Sequence, residues 1–235
     1  MPHSTPPQRA ARISGRCGLS IVELLVGIAI GLFILAGASL VASQQIGDNR
    51  LLMLETQVQQ DLRATADMVV RDIRRAGFWG NAALQVWPAA TGVVANPYPS
   101  LAASAVGPRT NYEYTYSSAD ASTAENGLDD AERYGFAWNS SAGTVEMRLG
   151  AAGWQTLTDP AVLRVTKFDV TIVPSIIELP CSNPCAALLA CPPTQTIRDV
   201  SVVIEGQAVH DEKVKRSIRS DVRLRNDEVT GSCPA

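Results

Sequence analysis

From Leu24 to Val41 no charged residue interrupts the chain, and just before this run sits a single carboxylate, Glu23. A stretch of this kind has few folded options. Leu19 to Ala42 meets the requirement of roughly 20 apolar residues for a helix that crosses a bilayer at about 1.5 Å per residue. In lipid the backbone satisfies its own hydrogen bonds only as a helix or a closed barrel. A charge in such a helix costs about 2.5–3.5 kcal/mol at the bilayer centre even on lenient scales, so Glu23 needs both a use and a partner. Before it, Met1–Gly18 carries Arg9, Arg12 and Arg16 and no acidic residue, while Pro2, Pro6 and Pro7 keep it from being helical. The positive-inside bias leaves this basic leader cytoplasmic and sends the rest of the chain across or beyond the membrane.

An ordinary secretory signal peptide is the alternative. Ala36-Gly37-Ala38 has the small-x-small form of a leader peptidase site, which would release a soluble periplasmic binding protein or enzyme beginning at Ser39. Against it stand the charge of Glu23 inside the apolar region and a helical pattern that continues past Ala38. Gly27 and Gly31 have the spacing of close helix–helix contacts, a weak signal alone because glycine is common in spanning helices.

No proline occurs between Ile13 and Trp87. Beyond Val41 the pattern turns amphipathic: Leu51, Leu54, Val58, Leu62, Ala66, Val69, Ile73 and Ala76 recur at steps of three and four, one face of a helix. Asp61, Arg63, Asp67, Arg71, Asp72 and Arg74 fall largely off that face. Arg74-Arg75 followed by Gly77 is a basic last turn and a glycine stop. Leu19–Ala76 is therefore expected as one helix of about 85 Å. The organisation that follows is a leader at residues 1–18, a spanning helix at 19–42, an amphipathic helix at 43–77 and a head at 78–235. A coiled-coil stalk is the rival for the amphipathic part, but its repeat is short and irregular.

The head reads as β-rich. Ala82–Ala124 suggests long loops with short strands, and the alternating Tyr112, Tyr114 and Tyr116 a half-exposed strand. Glu132–Trp138 and Thr144–Leu149 flank a turn and suggest a hairpin. Leu163–Val173 is long and β-branched, with a change of apolar phase between Val165 and Phe168 that predicts a bulge. Val200, Val202 and Ile204, then Ile218, Val222 and Leu224, alternate with polar residues, as in an antiparallel sheet covered on one face. The amphipathic helix supplies the cover, which gives an α+β fold. Phe78 and Trp79 read as core residues beneath the head.

Of five cysteines, Cys17 lies in the leader. Cys181, Cys185, Cys191 and Cys233 remain; on the oxidising side of a membrane an even count implies two disulfides with three possible pairings. Pairing of Cys233 upstream would clamp the C-terminus to the Pro180–Pro193 loop. Zinc is a weak rival, with no CxxC pair and His210 the one histidine beyond the leader. His210-Asp211-Glu212 reads as a solvated turn. The acidic group Asp120, Glu125, Asp129, Asp130 and Glu132 reads as a solvated face, with a calcium site as the alternative, although its spacing is not an EF-hand. There is no nucleophile elbow or phosphate loop, so no catalytic residue and no cofactor is expected and the chain is not read as an enzyme. The formal charge of −3 becomes −6 once the three leader arginines are removed, which argues against a nucleic-acid-binding head.

Gly18-Leu19-Ser20-Ile21-Val22-Glu23 resembles the class III signal of type IV prepilins. The resemblance implies that a membrane prepilin peptidase cuts between Gly18 and Leu19 and methylates the new amine of Leu19. Glu23 becomes the fifth mature residue, one turn from that amine, and meets the amine of a neighbouring subunit in a fibre. Leu19 stands where phenylalanine is more usual. Arg71-Asp72-Ile73-Arg74-Arg75-Ala76-Gly77-Phe78-Trp79-Gly80 is similar to the helix end of PilW-type minor pilins, and Trp154–Pro160, Val162–Val173 and Ser220–Asp227 look like their heads. The implied protein waits in the inner membrane with a periplasmic head, then joins a pilus. Its implied partners are the prepilin peptidase, other minor pilins, the major pilin, membrane lipid while a precursor, and a tip adhesin. A minor pseudopilin of type II secretion, related to the J type, is the nearest rival.

Overall fold

The computed structural model describes residues 18, 20–83, 95–118, 128–185 and 191–233. Residues 1–17 of the leader, Cys17 among them, and Leu19, Asp120 and Glu125 lie outside the described residues. The chain forms two compact units, residues 1–50 and 51–235.

One helix, α1 (Ile21–Ile73), contributes to both units. Within the first unit every described helical residue is exposed, including Phe33 at 82%. In the second unit α1 changes character, because Val58, Leu62, Ala66, Val69 and Ile73 are all completely buried. These positions follow the three-and-four spacing read from the sequence. The buried stripe is shorter than that spacing suggested, since Leu51 remains 41% exposed.

Among the described residues nine strands follow, in two antiparallel sheets where alternation alone suggested one. The first is a five-stranded meander: β1 (Ala102–Val106), β2 (Arg109–Thr115), β3 (Arg133–Asn139), β4 (Thr144–Leu149) and β5 (Trp154–Thr156), each paired with its neighbour in sequence. The second has β6 (Leu163–Glu178), β7 (Thr194–Ala208) and β8 (Lys215–Arg223) in order, with the short β9 (Glu228–Thr230) beside the start of β7. The register of β6 on β7 shifts between Val165 and Lys167, the bulge that the apolar phase change foretold. Tyr112, Tyr114, Phe136 and Val145 from the first sheet, and Val165, Phe168, Val202 and Ile204 from the second, join the α1 stripe in one core. The fold is α+β, a long apolar N-terminal helix followed by antiparallel sheets.

After Ile73 the chain unwinds through a turn that ends at Gly77. Its φ of 74° is open to glycine without a steric cost, and its N–H donates to the carbonyl of Thr115 at 2.8 Å. The last helical carbonyls find donors from distant segments. The amide of Arg225 donates to Arg74, and the Asn226 side chain to Ala76 at 3.1 Å. Two expectations fail here. Asp72 is buried, because Tyr114 and Arg75 both donate to its carboxylate. Phe78 is 43% exposed, and only Trp79 enters the core.

Leu62 is completely buried at the junction of helix and sheets. Leu62→Ala should destabilise the head by about 2–5 kcal/mol, the usual cost of a leucine-sized cavity. Denaturant unfolding followed by tryptophan fluorescence checks this.

Candidate functional site

Glu23 lies in the first turn of α1, whose N-terminal end favours a carboxylate. It is exposed, and no described residue pairs with it. The helical ladder reaches back to Ser20, whose carbonyl accepts from Leu24 at 3.0 Å. Gly27 and Gly31 follow Glu23 at steps of four, on the same side of the helix, and the space beside each is open. A second helix can therefore approach the carboxylate closely on that side. Leu24, Leu25, Ile28, Leu32 and Ile34 are all more than half exposed. Such an apolar surface is far beyond what a soluble monomer leaves bare. The helix is long and apolar enough to cross a membrane. That is compatible with a membrane anchor and with pilin-like processing.

In the head the four remaining cysteines come together. Cys181 is bonded to Cys233, and Cys185 to Cys191, each pair with Cα atoms 5.5 Å apart. Cys181 Sγ also lies 3.9 Å from Cys191 Sγ. Three of these sulfurs are close enough to hold a metal ion. A zinc site takes thiolates, however, and here all four sulfurs are committed to disulfides.

The acidic group does not behave as one face. Glu132 is buried and accepts from the Tyr98 hydroxyl at 3.2 Å and the amides of Ser118 and Asp129 at 3.0 and 3.2 Å. It organises a loop, contrary to the solvated position expected. Asp130 pairs with Arg133 at 3.2 Å. His210 is exposed in the turn between β7 and β8, as its charged neighbours suggested.

A groove of about 590 Å³ opens beside the end of α1 and is lined by Arg75, Phe78, Tyr116, Tyr134 and Arg225. Its wall is a ladder. The Arg75 guanidinium lies 4.5 Å from the centre of the Tyr116 ring, and that ring stacks on Tyr134 at 4.1 Å with only 5° between planes. Behind it, Tyr114 donates to Asp72, which also holds Arg75. Burial, then the neighbouring Asp72 charge, pushes the Tyr114 phenol well above its ordinary range. Burial also raises Tyr116, with its hydrogen bond to Tyr134 adding to the effect. The alternating tyrosines were the one sequence signal for this wall; nothing marked Asp72 as its anchor.

The comparisons with known proteins decide the family. Residues 51–224 match the family described as prepilin peptidase-dependent protein B. The chain belongs to that family. The match covers most of the chain, lies wholly outside the Gly18–Glu23 segment and shows a prepilin peptidase-dependent, pilin-like protein. No curated relative and no solved structure matches the chain.

Two outcomes follow for the head. A phenol whose folded pKa is raised stabilises the native state fully below its unfolded value of about 10, and loses that contribution as pH rises beyond it. Stability should thus hold to about pH 9 and then fall, by up to about 1.4 kcal/mol per pH unit for each such tyrosine. Tyr114→Phe should flatten part of the fall in chemical denaturation at graded pH. Separately, replacing Cys181 and Cys233 together by serine should cost about 2–4 kcal/mol, read as a lower midpoint in non-reducing denaturation.

Proposed function

We propose that this pilin-like protein is a minor pilin of the PilW type, which is cut after Gly18, methylated on Leu19 and taken into a type IV pilus through Glu23. The observation that carries the reading is the lone Glu23 on a helix whose neighbouring side chains are apolar and bare. Cleavage frees an amine one turn from this carboxylate. As the helix leaves lipid for a fibre, Glu23 pairs with the amine of an adjoining subunit. Burial makes that pair strongly attractive and an unpaired Glu23 costly. The open side at Gly27 and Gly31 lets the adjoining helix come near enough to pair.

On this reading the mechanism is non-enzymatic. The precursor is held in the inner membrane by residues 19–42 with its head in the periplasm. After processing it joins other minor pilins, primes assembly with the major pilin and stands at the pilus tip, where a tip adhesin docks. The family match supports the peptidase dependence of this scheme.

Mass spectrometry of the mature N-terminus, in cells with and without prepilin peptidase, tests it. A methylated Leu19 start that vanishes without the peptidase is expected, with Glu23→Ala cut normally but missing from sheared fibres. A Ser39 start, or an uncut chain in both strains, would overturn it.

A further inference from the structure

Sheet edges are templates for pairing, and proteins blunt them with charge, proline, bulges or short length. Among the described residues of this head, four edge strands are blunted in those ways. The outer edge of β6 carries Arg164, Lys167, Asp169 and Pro174, and has the bulge. That of β8 carries Lys215, Arg216, Arg219, Asp221 and Arg223. β5 and β9 are three residues each. The exception is β1. Ala102-Ala103-Ser104-Ala105-Val106 has no charge, no proline and no bulge, and pairs in register with β2 along its whole length. Every residue of β1 is exposed. Among the described residues no second strand pairs with it.

The β1–β2 turn determines which backbone groups are offered. Val106 and Arg109 are partners across the two-residue loop Gly107-Pro108. Gly107 has φ 58°, which the primed hairpin turns require at this position. The amide and hydroxyl of Ser140 both donate to the Pro108 carbonyl, at 3.0 and 2.9 Å, and tie down the tip. A two-residue loop closes on a hydrogen-bonded pair, and alternation then points the N–H and C=O of Ala103 and Ala105 away from β2.

We propose that β1 is a homotypic docking edge, on which β1 of a second copy of this chain pairs antiparallel about a two-fold axis at Ser104. In this register Ala103 faces Ala105 of the second copy, and Ala105 faces its Ala103, so all four outward donors and acceptors are used. Ser104 meets Ser104 of the second copy in the close, non-hydrogen-bonded position, where a hydroxyl pair fits. Self-complementarity selects this occupant. The strand is uncharged, so its own copy meets no like charge, and its small side chains leave both approaches clear. The contact is isologous, as a two-fold dimer demands, and it makes one continuous sheet across two heads. It does not rest on the proposed role in a pilus.

The test uses the full chain in detergent, with sedimentation velocity for the protein mass and hydrogen exchange for residues 102–106. The variants are Ala105→Pro, which removes an outward donor that β2 does not use, and Ala105→Lys, which adds edge charge without altering the backbone. Wild type should reach the mass of two copies as concentration rises, with exchange at Ala103 and Ala105 slowed at least about tenfold. Both variants should stay at one copy, with fast exchange at Ala103 in both and at residue 105 in the lysine variant, which alone of the two keeps an amide there, and with the thermal midpoint of the head unchanged. A wild-type chain at one copy throughout would overturn the proposal, whether its edge exchanges fast or is protected by residues 84–94 of the same chain. Dimers that persist in both variants would also overturn it, by placing the contact elsewhere.

Discussion

The head depends on one strip of α1 being apolar where two sheets need cover. Val58, Leu62, Ala66, Val69 and Ile73 are each fully buried, and they share a core with both inner faces. Fully burying a side chain of valine or leucine size contributes roughly 1.5–3 kcal/mol relative to exposure. The strip also fixes how the helix ends. A carbonyl at the end of a buried helix needs a donor, and the donors at Arg74 and Ala76 come from Arg225 and Asn226, more than a hundred residues later. The chain's two ends in the head are thus joined by the bonding needs of one helix terminus.

Asp72 shows how a charge is fitted into that strip. A buried carboxylate without donors is prohibitive. Here the Tyr114 hydroxyl from β2 and the Arg75 guanidinium from the next turn supply them. The same arginine lies over Tyr116, which stacks on Tyr134 of β3. One carboxylate therefore orients the helix end, two strands and the wall of the groove. Apolar residues hold the helix against the sheets, whereas this network specifies where along them it stops.

Legibility in the sequence followed pattern. β6, β7 and β8 alternate apolar and polar residues because one face is covered, and even the bulge was visible as a change of phase before Phe168. Gly77 was visible because a left-handed stop calls for glycine. β1 was not, since a strand exposed on both faces has no alternation to read. Helical spacing puts Asp72 off the apolar face and acidic neighbours put Glu132 on a solvated one, although satisfied donors bring each inside. Phe78 looked like core on composition, and only the geometry after the helix turned it outward. For the candidate site, Gly18, Leu19 and Glu23 stand in one short segment and are marked by its resemblance to a prepilin signal alone. The tyrosine–arginine wall is assembled from three separated stretches, of which the alternating tyrosines alone carry a local pattern.

Beyond the reach of α1 the second sheet changes how it is held. From Val173 to Glu178 all of β6 is exposed or nearly so, with Val173, Ile176 and Ile177 roughly half or more bare. Hydrophobic burial contributes little to this arm. Its partner stretch, Thr194–Asp199 of β7, gains β9 on the far side, with Thr194 opposite Thr230. The Cys181–Cys233 bond then ties the end of the arm to the C-terminal segment that also caps α1, and Cys185–Cys191 closes the small loop between. A cross-link over a long loop stabilises by restricting the unfolded chain, so it works without apolar contact. The cystines accordingly stand where the covering strip has run out, and they hold by connectivity a ribbon that packing does not reach.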